Sequence, residues 1–195
     1  MSEETRQGLP VLELGGPAEW ERWLERNHDA VPGVWLKFAK KGTGVTTVVY
    51  PEALEVALCF GWIDGQVNRY DEIYYLQRFT PRTKRSKWSQ INVEHATRLL
   101  EAGRMRPAGL AQVTAAQADG RWADAYASPS RAVVPEDFQQ ALDANPAAAE
   151  FFAGLKGNLR YAFLYRLSNT KRPENRAKRI ADYIERLNAG RTLDD

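Results

Sequence analysis

A chain of 195 residues, 44% hydrophobic and 27% charged with a net charge of +2 at pH 7, can bury a core without disulfide or metal support, and its total charge is too small to imply a nucleic-acid partner. Its single cysteine excludes an internal disulfide, and His28, His95 and Cys59 are too scattered to give metal-ligand or redox spacing, so no metal and no cofactor is expected. No apolar run approaches the roughly 20 residues that a bilayer span needs, and the polar start MSEETRQGLP lacks a secretion signal's apolar stretch, so the expectation is a soluble protein of the reducing cytoplasm.

Pro17 and Ala18 open a helix in which Trp20, Trp23 and Leu24 recur at helical spacing, and which ends between Asn27 and Gly33. The segment VWLKFAKKG then alternates, with Val34, Leu36 and Phe38 on one side and Trp35 and Lys37 on the other. Gly42 to Gly44 supply a turn and TTVVY a second run, a pattern that predicts a β-hairpin. Pro51 suits the first turn of a following helix, and PEALEVALCFG is apolar except along its Glu52 and Glu55 edge, which predicts a helix buried in the core. WIDGQVNRY and IYYLQRFTP, rich in aromatic and β-branched residues, predict two strands joined at Asp71-Glu72. The sheet is therefore expected to be small, antiparallel in type and of about four strands.

Ser89 or Asn92 is placed to cap a helix carrying Val93, Ala96, Leu99 and Leu100, which Gly103 ends. Beyond Pro107 the chain reads as helical, broken at Asp119-Gly120, Ser128-Pro129, Asn145-Pro146 and Pro173. Strands early and helices late predict an α+β fold, with a sheet-containing part over residues 1–106 and a helical part over residues 107–195, packed as one compact unit. In the last two helices, Leu159, Phe163 and Leu167 are expected inward, and Ala177, Ile180, Ala181, Ile184 and Leu187 share one face that is core or partner surface. Glu174 with Lys178, and Asp182 with Arg186, have the spacing of helical ion pairs. Joined by SNTKRP, the two helices form a basic hairpin; its long second helix suits a packed, solvated hairpin better than a DNA-reading one.

The chain has no GxGxxG, GxxxxGK[ST] or GxSxG, which removes the common phosphate loops and the nucleophile elbow. Cys59 falls within an apolar helix, where a thiol keeps a high pKa and a structural role. Asp64-Gly65 reads either as a turn with a capping carboxylate or as a buried carboxylate paired with Arg69 or Arg78 to shape a site. The densest charge lies in RFTPRTKRSKW, where Arg78, Arg82, Lys84, Arg85 and Lys87 are flanked by Phe79 and Trp88. Guanidinium forks bind phosphate or carboxylate in two-point fashion, and an indole packs against an arginine or a ligand. Two readings stand here: an anion-binding loop, with Lys40 and Lys41 as possible additions, or a solvated face anchored by buried aromatics. Trp62, Phe79 and Trp88 are expected to be largely buried.

GWIDGQ, RFTPR, KWSQIN, EAGRMRPAG, DGRWADAY and TKRPENRAKRI, together with EWERWLERNH and VWLKFAKKGTG, resemble the YdeI/OmpD-associated, or bacteriocin-protection, family nearly end to end. The resemblance implies a small cytoplasmic bacterial protein linked to stress and to resistance against cationic antimicrobial peptides, in some members through association with an outer-membrane porin. It implies no accepted catalytic residue, cofactor or reaction. The expectation is a non-enzymatic protein that binds an acidic partner or anionic small molecule through Asp64, Arg69, Arg78, Arg82, Lys84, Lys87 and Trp88. The alternative is an enzyme whose cleft is formed by Asp64 and the nearby arginines.

Overall fold

The computed structural model describes residues 4–195 and divides them into two compact units, one reaching to Trp88 and resuming over Asn92–Ala125, the other formed by Ser89–Ile91 and Tyr126–Asp195. Strands come early and helices late, the α+β arrangement that the sequence predicts. The first unit continues past residue 106 because helix α4 (Pro107–Ala118) packs on helix α2 (Tyr50–Cys59).

Among the described residues five strands form one mixed sheet in the order β1 (Thr5–Arg6), β2 (Leu9–Leu12), β3 (Val34–Ala39), β5 (Tyr74–Pro81), β4 (Trp62–Arg69). The sheet therefore exceeds the expected four strands, and its β2–β3 pair is parallel while the others are antiparallel. The expected hairpin from β3 to TTVVY does not form, because β2 and β5 occupy both edges of β3. The Thr46–Val49 stretch instead ties itself to the sheet's border: the Thr47 hydroxyl accepts from the Ala39 amide at 2.9 Å, and the Val48 amide donates to Leu14 O at 2.8 Å.

Helix α1 (Pro17–Asn27) and α2 cover one sheet face, burying Trp20, Leu24, Leu54 and Leu58 against Val34, Leu36, Phe38, Trp62 and Phe79. Trp62, Phe79 and Trp88 are all buried, as expected from their strand-like and flanking positions. Two of the indoles here are also tethered: Trp62 Nε1 donates to His28 O at 3.0 Å and Trp20 Nε1 to Ala53 O at 3.1 Å. On the other face Trp35, Leu76 and Leu9 form a smaller cluster, and Trp35 Nε1 reaches Arg6 O at 3.2 Å. Helix α3 (Gln90–Glu101) ends, as predicted, before Gly103 with its φ of +65°. Gly109 lets α4 approach α2 at backbone distance, since a Cβ there would lie 2.2 Å from Cys59 O.

The second unit packs α5 (Glu136–Asp143), α6 (Pro146–Gly154), α7 (Gly157–Ser168) and α8 (Pro173–Asn188) around Phe138, Phe152, Phe163, Leu167, Tyr183 and Leu187. Its rings meet edge to face, Phe163 against Tyr183 at 4.9 Å between centroids and Phe138 against Phe152 at 5.3 Å. Phe163 and Leu167 point inward as predicted, whereas Leu159 is exposed. The apolar face of α8 is turned: Tyr183 and Leu187 are buried, Ile180 and Ile184 are half-buried, and Ala177 and Ala181 stay exposed along a groove shared with Ala141. Neither predicted helical ion pair forms among the described residues, because Lys178 and Asp182 face a cleft. Arg176 instead clamps Asp137 of α5 and donates to Leu167 O at 2.7 Å.

Candidate functional site

The basic stretch leaves β5 at Pro81 and is fixed by its own backbone before any cation is displayed. The Arg82 amide donates to Gly61 O at 2.9 Å, and the Arg82 guanidinium lies 3.6 Å from the centroid of the Trp88 ring while Nη1 donates to Lys87 O at 3.2 Å. Thr83 and Ser86 close the turn reciprocally: the Thr83 amide donates to Ser86 Oγ at 2.9 Å and the Ser86 amide to Thr83 O at 3.0 Å. The Arg85 amide adds a bond to Thr83 Oγ1 at 3.2 Å. From across the unit, Arg121 Nη1 donates to Ser86 O at 3.1 Å while its other nitrogens grip Asp119. Trp122 packs on Trp88 with centroids 4.8 Å apart. Two arginines and two tryptophans thus hold the loop, and Lys84, Arg85 and Lys87 are left exposed on it.

The other residues singled out in the sequence are not gathered there. Asp64 accepts a 2.9 Å hydrogen bond from the Tyr50 hydroxyl, and Arg69 pairs with Glu72 in the exposed turn. Asp64 lies opposite Phe79 and Arg78 opposite Trp35, so strand alternation puts the carboxylate and the guanidinium on opposite sheet faces. Arg82, at 4% exposure, is a holder of the loop. Asp71 serves the β4–β5 turn, taking the Ile73 and Tyr74 amides at 2.7 Å each; the Tyr74 amide holds its carboxyl below the usual carboxylate range. Lys40 donates to Asp71 O, which places it at the end of β5 opposite the basic loop.

Burial pushes the Cys59 thiol up, in keeping with its place inside α2. Among the described residues no group of His, Cys, Asp and Glu side chains is arranged to hold a metal ion, and no helix is long and apolar enough to cross a membrane. The sequence placed Arg82 and Trp88 on one basic segment and offered the indole as packing for an arginine or a ligand, without naming which arginine. Arg121 gave no such signal, being 35 positions from the carbonyl it binds.

The chain belongs to the family described as a domain of unknown function (DUF8412), which matches residues 12–112. Residues 131–190 match a second family, described as bacteriocin-protection, YdeI or OmpD-associated. The resemblance to that family is thus supported in the helical unit and not nearly end to end: GWIDGQ, RFTPR, KWSQIN and EAGRMRPAG fall within the other family's span. No curated protein and no solved structure matches the chain.

Proposed function

We propose that this chain is a non-enzymatic, cytoplasmic binding protein of the YdeI/OmpD-associated type, acting in stress and antimicrobial-peptide resistance by engaging an acidic partner surface through Lys84, Arg85 and Lys87. The observation that carries the reading is the preorganised loop: arginines and hydroxyls hold its backbone while its own cations remain exposed. A loop already held in one shape loses less conformational entropy on docking than a mobile one. Its charges act over roughly 8–10 Å at physiological salt, enough to steer an acidic surface and weak enough that each contact alone contributes little. Separation of Asp64 and Arg78 onto opposite faces of the sheet supports this reading over a catalytic cleft built from them. Because the loop is positive, resistance works indirectly, and a cationic bacteriocin is not itself sequestered.

The triple variant Lys84→Ala, Arg85→Ala, Lys87→Ala tests the proposal. Its folding stability should change by less than about 1 kcal/mol, while cells carrying it should survive a cationic peptide no better than cells lacking the protein. Wild-type survival of the variant would sink the proposal, as would micromolar binding of the bacteriocin itself in calorimetry at physiological salt.

A further inference from the structure

A cleft of about 560 Å³ opens where α7 passes into α8, and four cationic side chains line it: Lys171, Arg172, Lys178 and Arg179. Thr170, Asp182 and two asparagines complete the lining, with no apolar or aromatic side chain among them. Thr170, 8% exposed, anchors one wall. Its Oγ1 donates to Arg166 O at 2.7 Å and accepts from Arg179 Nη1, which also donates to Arg166 O at 3.0 Å. Arg179 is thereby fixed through a single nitrogen. Among the described residues its Nε and Nη2 make no hydrogen bond, and the exposed side chains of Arg172 and Lys178 make neither a hydrogen bond nor an ion pair.

Like charges gathered this closely repel one another unless an anion lies between them. Asp182 stands at the cleft without forming an ion pair to any of the four among the described residues. We infer that this cleft binds a compact phosphorylated polyol: phosphate groups take the open edge of Arg179 with Arg172 and Lys178, and Asp182 accepts a hydrogen bond from a hydroxyl of the carbon skeleton. The volume lies within the range of small-molecule sites. A fixed guanidinium offers two-point recognition of a phosphate, which a bare ammonium does not. No aromatic ring is among the lining residues for a nucleobase to stack on, so nucleotides are disfavoured relative to sugar phosphates. Duplex DNA is likewise disfavoured, since these cations converge within a hollow where a duplex needs them spread along its phosphates.

Calorimetry on the full chain at physiological salt, with fructose 1,6-bisphosphate, inorganic pyrophosphate and uncharged fructose, tests the assignment. The bisphosphate should bind and fructose should not. Arg172→Ala and Lys178→Ala, both at exposed positions, should each weaken the bisphosphate by about five- to tenfold with thermal unfolding unchanged. Asp182→Ala should weaken the bisphosphate without weakening pyrophosphate, which has no hydroxyl to offer. The triple loop variant at residues 84, 85 and 87 should bind the bisphosphate as the wild type does, so this test and that of the proposed function fail separately. The inference is overturned by absence of bisphosphate binding up to about 10 mM, by equal affinity in the Arg172 and Lys178 variants, or by pyrophosphate binding as tightly as the bisphosphate. Tight association with a duplex oligonucleotide that the bisphosphate does not displace would overturn it in favour of nucleic acid.

Discussion

The sheet unit and the helical unit solve the same problem, joining distant segments to a core, with different side chains. In the sheet unit Trp20, Trp35 and Trp62 are buried, and each indole N–H is bonded to a backbone carbonyl of another segment, Ala53, Arg6 and His28 respectively. Trp88 departs from the pattern: its buried Nε1 has no hydrogen-bond partner among the described residues, and its ring face takes the Arg82 guanidinium. In the helical unit the core rings are phenylalanines with Tyr183, and the joining is done by Arg176 and Arg179, which reach the Leu167 and Arg166 carbonyls. A tryptophan combines apolar mass and tether in one buried residue. Where rings and arginines divide those roles, the tether lies nearer the surface, within reach of salt and pH.

The largest expected effect follows from the combined role. Trp62→Ala should cost the sheet unit about 3–5 kcal/mol in chemical denaturation, because the cavity and the lost bond to His28 O come together. A loss below about 1 kcal/mol would mean that the buried indoles are not tethers at all and would break the comparison. In the helical unit the tether can be removed with its core rings intact: Arg176→Ala should cost about 1–3 kcal/mol, the range for charged hydrogen bonds, and should leave the packing of Phe138, Phe152 and Phe163 in place.

The same pair sharpens the contrast through pH. The Arg176 hydrogen bonds hold the Asp137 carboxyl below its usual range, and Asp137 in turn raises the Arg176 guanidinium. A carboxyl whose pKa is depressed on folding contributes fully above its unfolded value, about 4. That contribution fades as pH falls through the folded value. The helical unit should therefore weaken in this acid range by an amount that salt screening keeps modest, and Arg176→Ala should lose that acid dependence. Acid titration of helical signal in the wild type and the variant checks this; identical profiles would remove the pair from the account. The smallest effect belongs to the loop: Lys84→Ala should stay within about 0.5 kcal/mol of the wild type, as exposed substitutions do. Arg82→Ala should exceed that clearly, since it removes the ring contact and the bond to Lys87 O.

Local pattern carried the helices and the β4–β5 hairpin because their signals lie within single segments: Pro17, Pro51, Pro107 and Pro173 each stand at a helix start, and Gly103 and Gly190 just past helix ends. What it missed depends on partners elsewhere. TTVVY has strand composition, but a strand needs a free edge and β3 has none. Conversely, LPVL carries a proline and spans only four residues, yet it is a strand because β3 offers it an edge. At the candidate site the exposed lysines were legible as a charge run. The division of the arginines into holders and displayed groups was not, because it depends on Trp88 being buried and on Arg121 arriving from the far side of α4. The cleft between α7 and α8 was visible only as a basic turn; its hollow comes from how α8 is rotated, with Tyr183 inward and Lys178 outward.

The contact of Gly109 with Cys59 has a kinetic consequence. The chain's only thiol is buried in α2, and α4 lies against its carbonyl so closely that even a methyl group would not fit. An alkylating reagent therefore reacts only with molecules whose sheet unit has opened, and the labelling rate reports how often that happens. Because the helical unit contains no cysteine, the readout is blind to its unfolding. The chain carries a built-in clock for one half of itself, readable in the native protein without any introduced label.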